Sequence, residues 1–188
     1  MERAELHQEM GNNEAALSDY TEAIKISSES GNVYSPPEAY LARGTFYSEL
    51  KKYDMAISDY TEAIAKITYI FKHPETRRPN LFDGIFVEQT NRICFMKRGF
   101  AYIKLEKFGP ALKDFNKAIK LQIDERGLGN GNDIMAALHF LRGSAYDHLR
   151  KTYKAKFDME TALRLNPDYE EAREWIQNNK NRLIEPWD

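Results

Sequence analysis

One pattern of about 27 residues recurs four times along the chain, and it restricts the fold more than any other feature. The motifs RGTFY, RGFAY and RGSAY begin at Arg43, Arg98 and Arg142. Each is followed at a constant distance by a variant of SDYTEAI, which occurs unchanged at residues 18–24 and 58–64. In these three copies the glycine and the alanine near the end of the pattern are 19 residues apart. Internal repetition on this scale predicts a stack of similar supersecondary units.

Both halves of the pattern have the spacing of amphipathic helices. In the second copy, apolar residues recur at helical steps through the second half: Tyr53, Ala56, Ile57, Tyr60, Ala63 and Ile64. The first half, residues 40–50, follows the same period. Because the joint between them, Lys51-Lys52, is short and polar, we expect two antiparallel helices in each repeat.

The glycine of each Arg-Gly motif falls inside a predicted helix, where it costs about 1 kcal/mol relative to alanine. Its recurrence predicts that the two helices of a repeat cross so closely that there is no room for a side chain at this position. We therefore expect these glycines to lie against small residues of the second helix, with tyrosines filling the space beside the crossing. The expected pairs are Gly44 with Ala56, Gly99 with Ala111 and Gly143 with Ala155, and the tyrosines are Tyr47, Tyr102 and Tyr146.

These positions resemble the tetratricopeptide repeat, in which Gly, Tyr, Ala, an aromatic residue, Ala and a late Pro stand at fixed places. The third copy supplies Phe95, Gly99, Tyr102, Phe108, Ala111, Phe115 and Ala118. The second copy matches at the same places, and the fourth matches as far as Pro167. The resemblance implies an all-α fold, a right-handed α-solenoid of about four antiparallel helix pairs plus a C-terminal capping helix.

The copies depart from the family in their spacing. Successive copies are 40, 55 and 44 residues apart, whereas the family repeats about every 34 residues. We therefore expect lengthened joints within a single domain spanning residues 1–188. Its predicted parts are repeat 1 at 1–30 with a truncated first helix, repeat 2 at 36–72, an insertion at 72–90, repeat 3 at 87–123, repeat 4 at 133–167 and a capping helix at 168–183.

Three joints carry signals for helix starts. Ser35 and Glu38 are spaced as a capping box around Pro36, and Asp168 and Glu171 have the spacing of a second one. Gly109-Pro110 marks the start of the second helix of the third copy.

The composition of the chain argues against nucleic acid and membrane as partners and bears on the cellular compartment. The formal charge is −2, whereas nucleic-acid binding usually needs a basic face, so we expect no nucleic acid as partner. No apolar run has the roughly 18–20 residues that a membrane span requires, so we expect no membrane element. A single cysteine excludes an internal disulfide framework and favours a reducing compartment, and we expect the cytoplasm.

Catalytic and metal-binding patterns are not found in the sequence. The histidines His7, His73, His139 and His148 do not have metal-ligand spacing. Cys94 lies in a predicted helix and is interpreted as a packed side chain rather than a nucleophile. We expect no enzyme activity, no metal and no cofactor.

The arginines of the repeated motif allow two interpretations. They form either a row of cations for an acidic ligand or structural pairs with Asp59, Asp114 and Asp158, each of which lies 16 residues further along the chain. Asp19 is the equivalent residue of the first copy. We favour the structural pairs, because a charge buried near a helix crossing needs a partner.

The resemblance also implies that first helices line a concave partner-binding groove. Carried over to this sequence, the groove positions are Leu41, Thr45, Ile93, Met96, Lys97, Phe100, Lys104, Phe140, Leu141, Ser144 and His148. Several of these are apolar, and Ile93, Met96, Phe100, Phe140 and Leu141 form a candidate exposed patch. Either this patch binds a partner or the insertion 72–90 folds over it, and the sequence supports both alternatives equally.

One subgroup of the family grips the C-terminal carboxylate of chaperones with Lys, Asn and Arg side chains. In one possible frame the matching positions here hold Leu41, Ala42, Thr45, Ile93 and Lys97, and a frame that starts one repeat earlier gives Met1 and Glu5 instead. Because Lys97 is the one cation among them, the resemblance is to a non-clamp type. We expect a non-catalytic scaffold that binds a peptide or helix of another protein in the groove. The alternatives are a self-association module that forms a homo-oligomer and an accessory interaction domain of a larger protein.

Overall fold

The computed structural model describes residues 1–29, 37–73, 84–124 and 131–180, and within these ranges every regular element is an α-helix. The helices are α1 Glu2–Glu9, α2 Asn13–Glu29, α3 Pro37–Glu49, α4 Tyr53–Lys72, α5 Gly84–Lys104, α6 Phe108–Asp124, α7 Gly131–His148, α8 Thr152–Leu165 and α9 Glu170–Asn178. On either side of the predicted insertion, α4 ends at Lys72 and α5 begins at Gly84.

The chain forms two compact units, Met1–Ala101 and Tyr102–Asp188. In the first unit, α1 packs on α2 and α3 packs on α4, and α2 also contacts α3. In the second unit, α7 packs on α8, α6 contacts α7, and α9 packs on α8. The helix pairs predicted for repeats 1, 2 and 4 are therefore present.

A shared turn ends the first helix of each pair. In the second repeat the N–H of Lys52 donates to the Tyr47 carbonyl at 2.8 Å, and the N–H of Lys51 donates to the Ser48 carbonyl at 3.0 Å. This is the Schellman arrangement, which needs one residue with a positive φ. The residues in that position are Gly11, Lys51, Glu106 and Arg150, with φ values of 73°, 59°, 57° and 58°. This turn has no signal in the sequence, because three of its four positions lack the usual glycine.

The predicted helix starts have mixed outcomes. Gly109-Pro110 lies in the first turn of α6, as predicted. The predicted capping box at Asp168 is wrong, since α9 begins after Tyr169 without a side-chain cap. Asn166 Oδ1 instead accepts a hydrogen bond from the backbone N–H of Asp168 at 2.9 Å. The capping box predicted at Ser35 lies outside the described residues.

The close approach predicted for the glycines is confirmed at two positions. A Cβ atom added to Gly143 would lie 3.1 Å from Asp158 Cβ and 3.3 Å from the Ala155 carbonyl oxygen. A Cβ added to Gly44 would lie 2.9 Å from the Tyr60 ring. In this repeat the nearest atoms belong to Tyr60 and Asp59 instead of Ala56, because the tightest contact falls one turn later on α4. The contact between Gly99 and Ala111 stays a prediction.

The C-terminal helix α9 completes the core of the second unit. Its Ala172 is buried with Ala136, Met159 and Ala162, and the side chains packed around them include Trp175 and Ile176. Trp175 also donates its indole N–H to Asp147 Oδ2 on α7 at 3.0 Å. The apolar face of α9 is therefore packed on α7 and α8 as far as Ile176.

Candidate partner-binding surface

The arginines of the repeated motif are bound to aspartates, as the structural interpretation predicts. Arg43 Nε and Nη2 donate to the two carboxylate oxygens of Asp59, both at 2.8 Å. Arg142 makes the same forked contact with Asp158 at 2.8 and 2.7 Å. These side chains are therefore structural and do not form a row of free cations. The pairing of Arg98 with Asp114 stays a prediction.

The first repeat contains an equivalent pair that the sequence analysis missed. Arg3 Nε and Nη2 donate to the carboxylate of Asp19 at 2.7 and 2.6 Å. The signal was present in the sequence, since Arg3 precedes Asp19 by the same 16 residues that separate Arg43 from Asp59. The pair was not recognised because Ala4 stands where the other copies have glycine, so the first copy has no Arg-Gly motif.

Each interior arginine also contacts the second helix of the preceding repeat. Arg43 Nη1 donates to Thr21 Oγ1 at 3.1 Å, and Arg98 Nη1 donates to Thr61 Oγ1 at 2.9 Å. Arg142 Nη1 donates to Asn116 Oδ1 at 2.7 Å. Each acceptor lies two residues after the aspartate of its own repeat. The guanidinium groups of Arg43 and Arg142 thus each join two helices of their own repeat to a third helix of the repeat before it.

Asp158 is the most buried carboxylate of this network. The Nδ1–H of His139 donates to Asp158 Oδ1 at 2.8 Å, since an ionised carboxylate can only accept. Burial raises the pKa of Asp158, but the hydrogen bonds from Arg142 and His139 outweigh it and hold the pKa below its ordinary value of 3.8. The folded state therefore favours the ionised carboxylate.

We predict that Asp158 stabilises the folded state and that this stabilisation is lost in acid. Because the pKa of this carboxyl is lower in the folded state, its contribution is fully present above the ordinary pKa. It is lost as the pH falls through the folded-state value. Urea unfolding at a series of pH values below about 5 should show a shallower pH dependence of the unfolding free energy for Asp158→Asn than for the wild type. Equal slopes would contradict this assignment.

The predicted groove residues of α3 are half-buried. Leu41 packs against two core clusters of the first unit, one containing Cys94 and the other Tyr60. The Thr45 hydroxyl donates to the Leu41 carbonyl at 2.8 Å, so its polar atom is satisfied within the helix. α3 therefore presents a mainly apolar surface at these two positions.

The predicted groove residues of α5 occupy one face of the helix. Ile93, Met96 and Lys97 are half-buried, and Phe100 has 37% of its surface exposed. Residues on the opposite faces, including Cys94 and Phe95, are buried. Phe100 is thus a large apolar side chain left accessible beside three partly accessible ones. In the second unit, Lys104 at the end of α5 is exposed.

The predicted groove residues of α7 are less accessible to a partner. Phe140, Leu141 and Ser144 are half-buried, and His148 is exposed. The Phe140 ring lies 5.1 Å from the Tyr169 ring and packs on the core completed by α9. The His148 ring stacks on Phe108 at 4.5 Å. Less of Phe140 is therefore available for binding than the sequence analysis suggested.

The alternative in which residues 72–90 cover the patch concerns mainly residues 74–83, which lie outside the described ranges. At the start of α5, Val87 and Thr90 are buried in the first unit.

The described residues offer no cluster for metal or thiol chemistry. No three His, Cys, Asp or Glu side chains in these ranges come together as ligands would. Cys94 is buried in the core of the first unit, and burial raises the pKa of its thiol to about 12. Such a thiol is protonated at neutral pH, as expected of a packed side chain. Across the described ranges, no helix combines the length and hydropathy needed to cross a bilayer.

Comparison with known structures shows several similar folds. The first TPR domain of Spaghetti (RPAP3) bound to the HSP90 peptide SRMEEVD is 25% identical, with 79% of this chain and 94% of that chain covered and a TM-score of 0.59. The second TPR domain of human RPAP3 in complex with the HSP70 peptide SGPTIEEVD is 28% identical, covering 77% of this chain and 98% of that chain, with a TM-score of 0.55. MamA from Desulfovibrio magneticus RS-1 is 18% identical, covering 95% and 81%, with a TM-score of 0.67.

The family model described as the tetratricopeptide repeat matches residues 1–30, 37–65, 94–122 and 136–169. Three of these matches contain the Arg–Asp contacts described above, and the four together cover more than half of the chain. With the similar structures they confirm the predicted all-α solenoid class. The chain belongs to the tetratricopeptide repeat family.

Proposed function

We propose that this chain binds a peptide or a helix of a partner protein on the surface formed by α3 and α5 in the first unit. The family consists generally of non-catalytic protein-interaction scaffolds, and two of the similar domains carry peptides of other proteins. The observation that carries the proposal is the accessible face of α5. There Ile93, Met96, Lys97 and Phe100 follow one another at helical steps without being fully buried.

The chemistry of this surface favours an apolar partner side chain with an acidic neighbour. Phe100 and Met96 supply apolar area, and Lys97 supplies a positive charge on the same face. Leu41 of α3 borders this surface, since it packs on the cluster that contains Cys94 of α5. An amphipathic helix or an extended peptide would bury this face and displace water from it.

We do not propose a grip on a chaperone C-terminus, although the similar domains hold such peptides. The clamp needs several cationic and amide side chains, and the matching positions here include Leu41, Thr45 and Ile93. Of these positions, Lys97 alone would supply a positive charge to bind a terminal carboxylate. Binding through the apolar face is therefore the function that these residues support best.

The test is affinity capture by the wild type and two matched variants. Phe100→Ala removes the accessible ring of the proposed surface, whereas Tyr69→Ala removes a similarly exposed ring of α4 in the same unit. Phe100→Ala should reduce captured partner proteins by about tenfold or more, as expected of a binding hot spot. Tyr69→Ala should retain these partners. Equal capture by all three proteins would contradict the proposed surface.

Self-association is the second candidate function. Leu6 and Met10 lie one turn apart at the end of α1, and both are exposed apolar side chains. Paired copies could bury them against one another. Light scattering during size exclusion distinguishes this candidate, which requires a mass above that of one chain and a return to one chain in Leu6→Ser/Met10→Ser.

A further inference from the structure

A cleft on α7 and α8 of the second unit is lined by aromatic side chains that the packing of the repeat does not explain. It is open to solvent and has a volume of about 330 Å³. It is lined by Arg142, Tyr146, Tyr153, Lys154, Phe157 and Asp158. Two of the aromatic rings are unusually accessible, since Tyr153 is 46% exposed and Phe157 is 62% exposed. These rings are four residues apart, on the same face of α8.

The exposed rings break the pattern of the other repeats. The position of Tyr153 is held by Asp54 in the second repeat, and that of Phe157 is held by Ser58. The residue before each ring has changed in the opposite direction, from apolar to polar. Thr152 and Lys156 stand where the second copy has apolar residues. The apolar residues of α8 have thus moved by one position, from the packed face toward solvent. The fold does not require aromatic rings at positions where another repeat uses Asp and Ser.

The charges that line the cleft leave an excess of positive charge at its mouth. Both oxygens of Asp158 are occupied by Arg142 and His139, and Asp158 has only 1% of its side chain exposed. Arg142 is therefore neutralised by its own aspartate. The ammonium group of Lys154 lies 5.7 Å from the centre of the Tyr146 ring, and it has no carboxylate partner among the described residues. A cation held over an aromatic face stays available to an anionic ligand.

We propose that this cleft is a second docking site, separate from the α3 and α5 surface, and that it binds an acidic peptide segment carrying an aromatic or large aliphatic side chain. The apolar side chain packs between Tyr153 and Phe157, where it removes exposed ring surface from water. An adjacent Asp or Glu of the peptide pairs with Lys154. A polynucleotide fits less well, because its repeated phosphates require several cations along a track and the cleft supplies one unpaired lysine.

The test uses displayed random peptides as the probe. Wild-type protein is compared with Tyr153→Asp/Phe157→Ser, in which both positions receive the residues of the second repeat. Because both rings are exposed, the thermal unfolding curve of this variant should match that of the wild type. Peptides enriched on the wild type should combine acidic residues with an aromatic or large aliphatic one. They should be depleted on the variant.

Synthetic copies of the enriched peptides then provide dissociation constants by fluorescence anisotropy. The double variant and Lys154→Glu should each weaken binding by about tenfold or more. Phe100→Ala, which alters the other surface, should leave the dissociation constant unchanged. Added salt should weaken binding to the wild type, because one contact is an ion pair near solvent.

Several results would overturn this proposal. They are a failure to enrich any peptide over a blank surface, equal enrichment on the variant, and enriched sequences without acidic residues. A loss of binding in Phe100→Ala would move the peptides to the α3 and α5 surface and would refute a separate site. Binding of a single-stranded oligonucleotide that is abolished by the same substitutions would replace the peptide by a nucleic acid.

Discussion

Replacing Arg142 with alanine should lower the free energy of unfolding of the second unit by about 3 kcal/mol or more, because it leaves a buried carboxylate without its main partner. The Asp158 side chain is 1% exposed and that of Arg142 is 17% exposed, so water can replace little of the lost interaction. The substitution also removes the hydrogen bond to Asn116 of the preceding repeat. Urea unfolding followed by circular dichroism measures the loss.

Two further variants test whether the loss of stability in Arg142→Ala depends on the burial of the ion pair and on its forked geometry. Arg3→Ala breaks the same forked contact at a site where the arginine side chain is 74% exposed, and it should be much less destabilising. Arg142→Lys retains the charge but not the fork, so most of the loss should remain. If Arg142→Ala leaves stability intact and abolishes binding of an acidic ligand, the interpretation as a cation row is correct after all.

Gly44→Ala should cost the first unit roughly 2 kcal/mol, although alanine is the better helix former. The added methyl group would lie 2.9 Å from the Tyr60 ring and 3.1 Å from Asp59 Cβ. Tyr60 is buried, so its ring has no free space to move into. Overpacking costs up to about 3 kcal/mol, and the gain in helix propensity of about 1 kcal/mol offsets part of it. Thermal and urea unfolding measure the net change.

A double-mutant cycle tests the physical cause of the Gly44→Ala effect. In a Tyr60→Leu background the ring atoms are absent, so Gly44→Ala should become much less costly. The coupling between the two positions should then account for most of the single-mutant effect. A higher melting temperature for Gly44→Ala than for the wild type would show that the crossing has room for a methyl group.

Much of the fold could be predicted because the repeat supplies several independent observations of one geometry. The helix pairs follow from apolar spacing that recurs in register, and two of the Arg–Asp contacts follow from their constant separation along the chain. Gly44 and Gly143 were recognised as contact points because a helix tolerates glycine poorly. These inferences concern interactions within one repeat, where separation in sequence fixes separation in space.

The features that sequence reasoning missed depend on side-chain direction or on neighbouring repeats. The Schellman turns use Lys51, Glu106 and Arg150 at a position where glycine is usual. The contacts of arginines with Thr21, Thr61 and Asn116 cross joints of unequal length, so no constant spacing reveals them. Phe140 was predicted to line the groove, but its contact with Tyr169 depends on the packing of the C-terminal helix, which the repeat pattern does not describe.

The arginine bridges between repeats have a consequence for protein engineering. Arg43, Arg98 and Arg142 reach their acceptors across 22, 37 and 26 residues of chain, yet the three hydrogen bonds are alike. Alignment of neighbouring repeats is therefore transmitted by side chains and does not require a fixed linker length. An engineered array of these repeats should therefore keep the bridging arginines and their acceptors, while the lengths of its connections can differ.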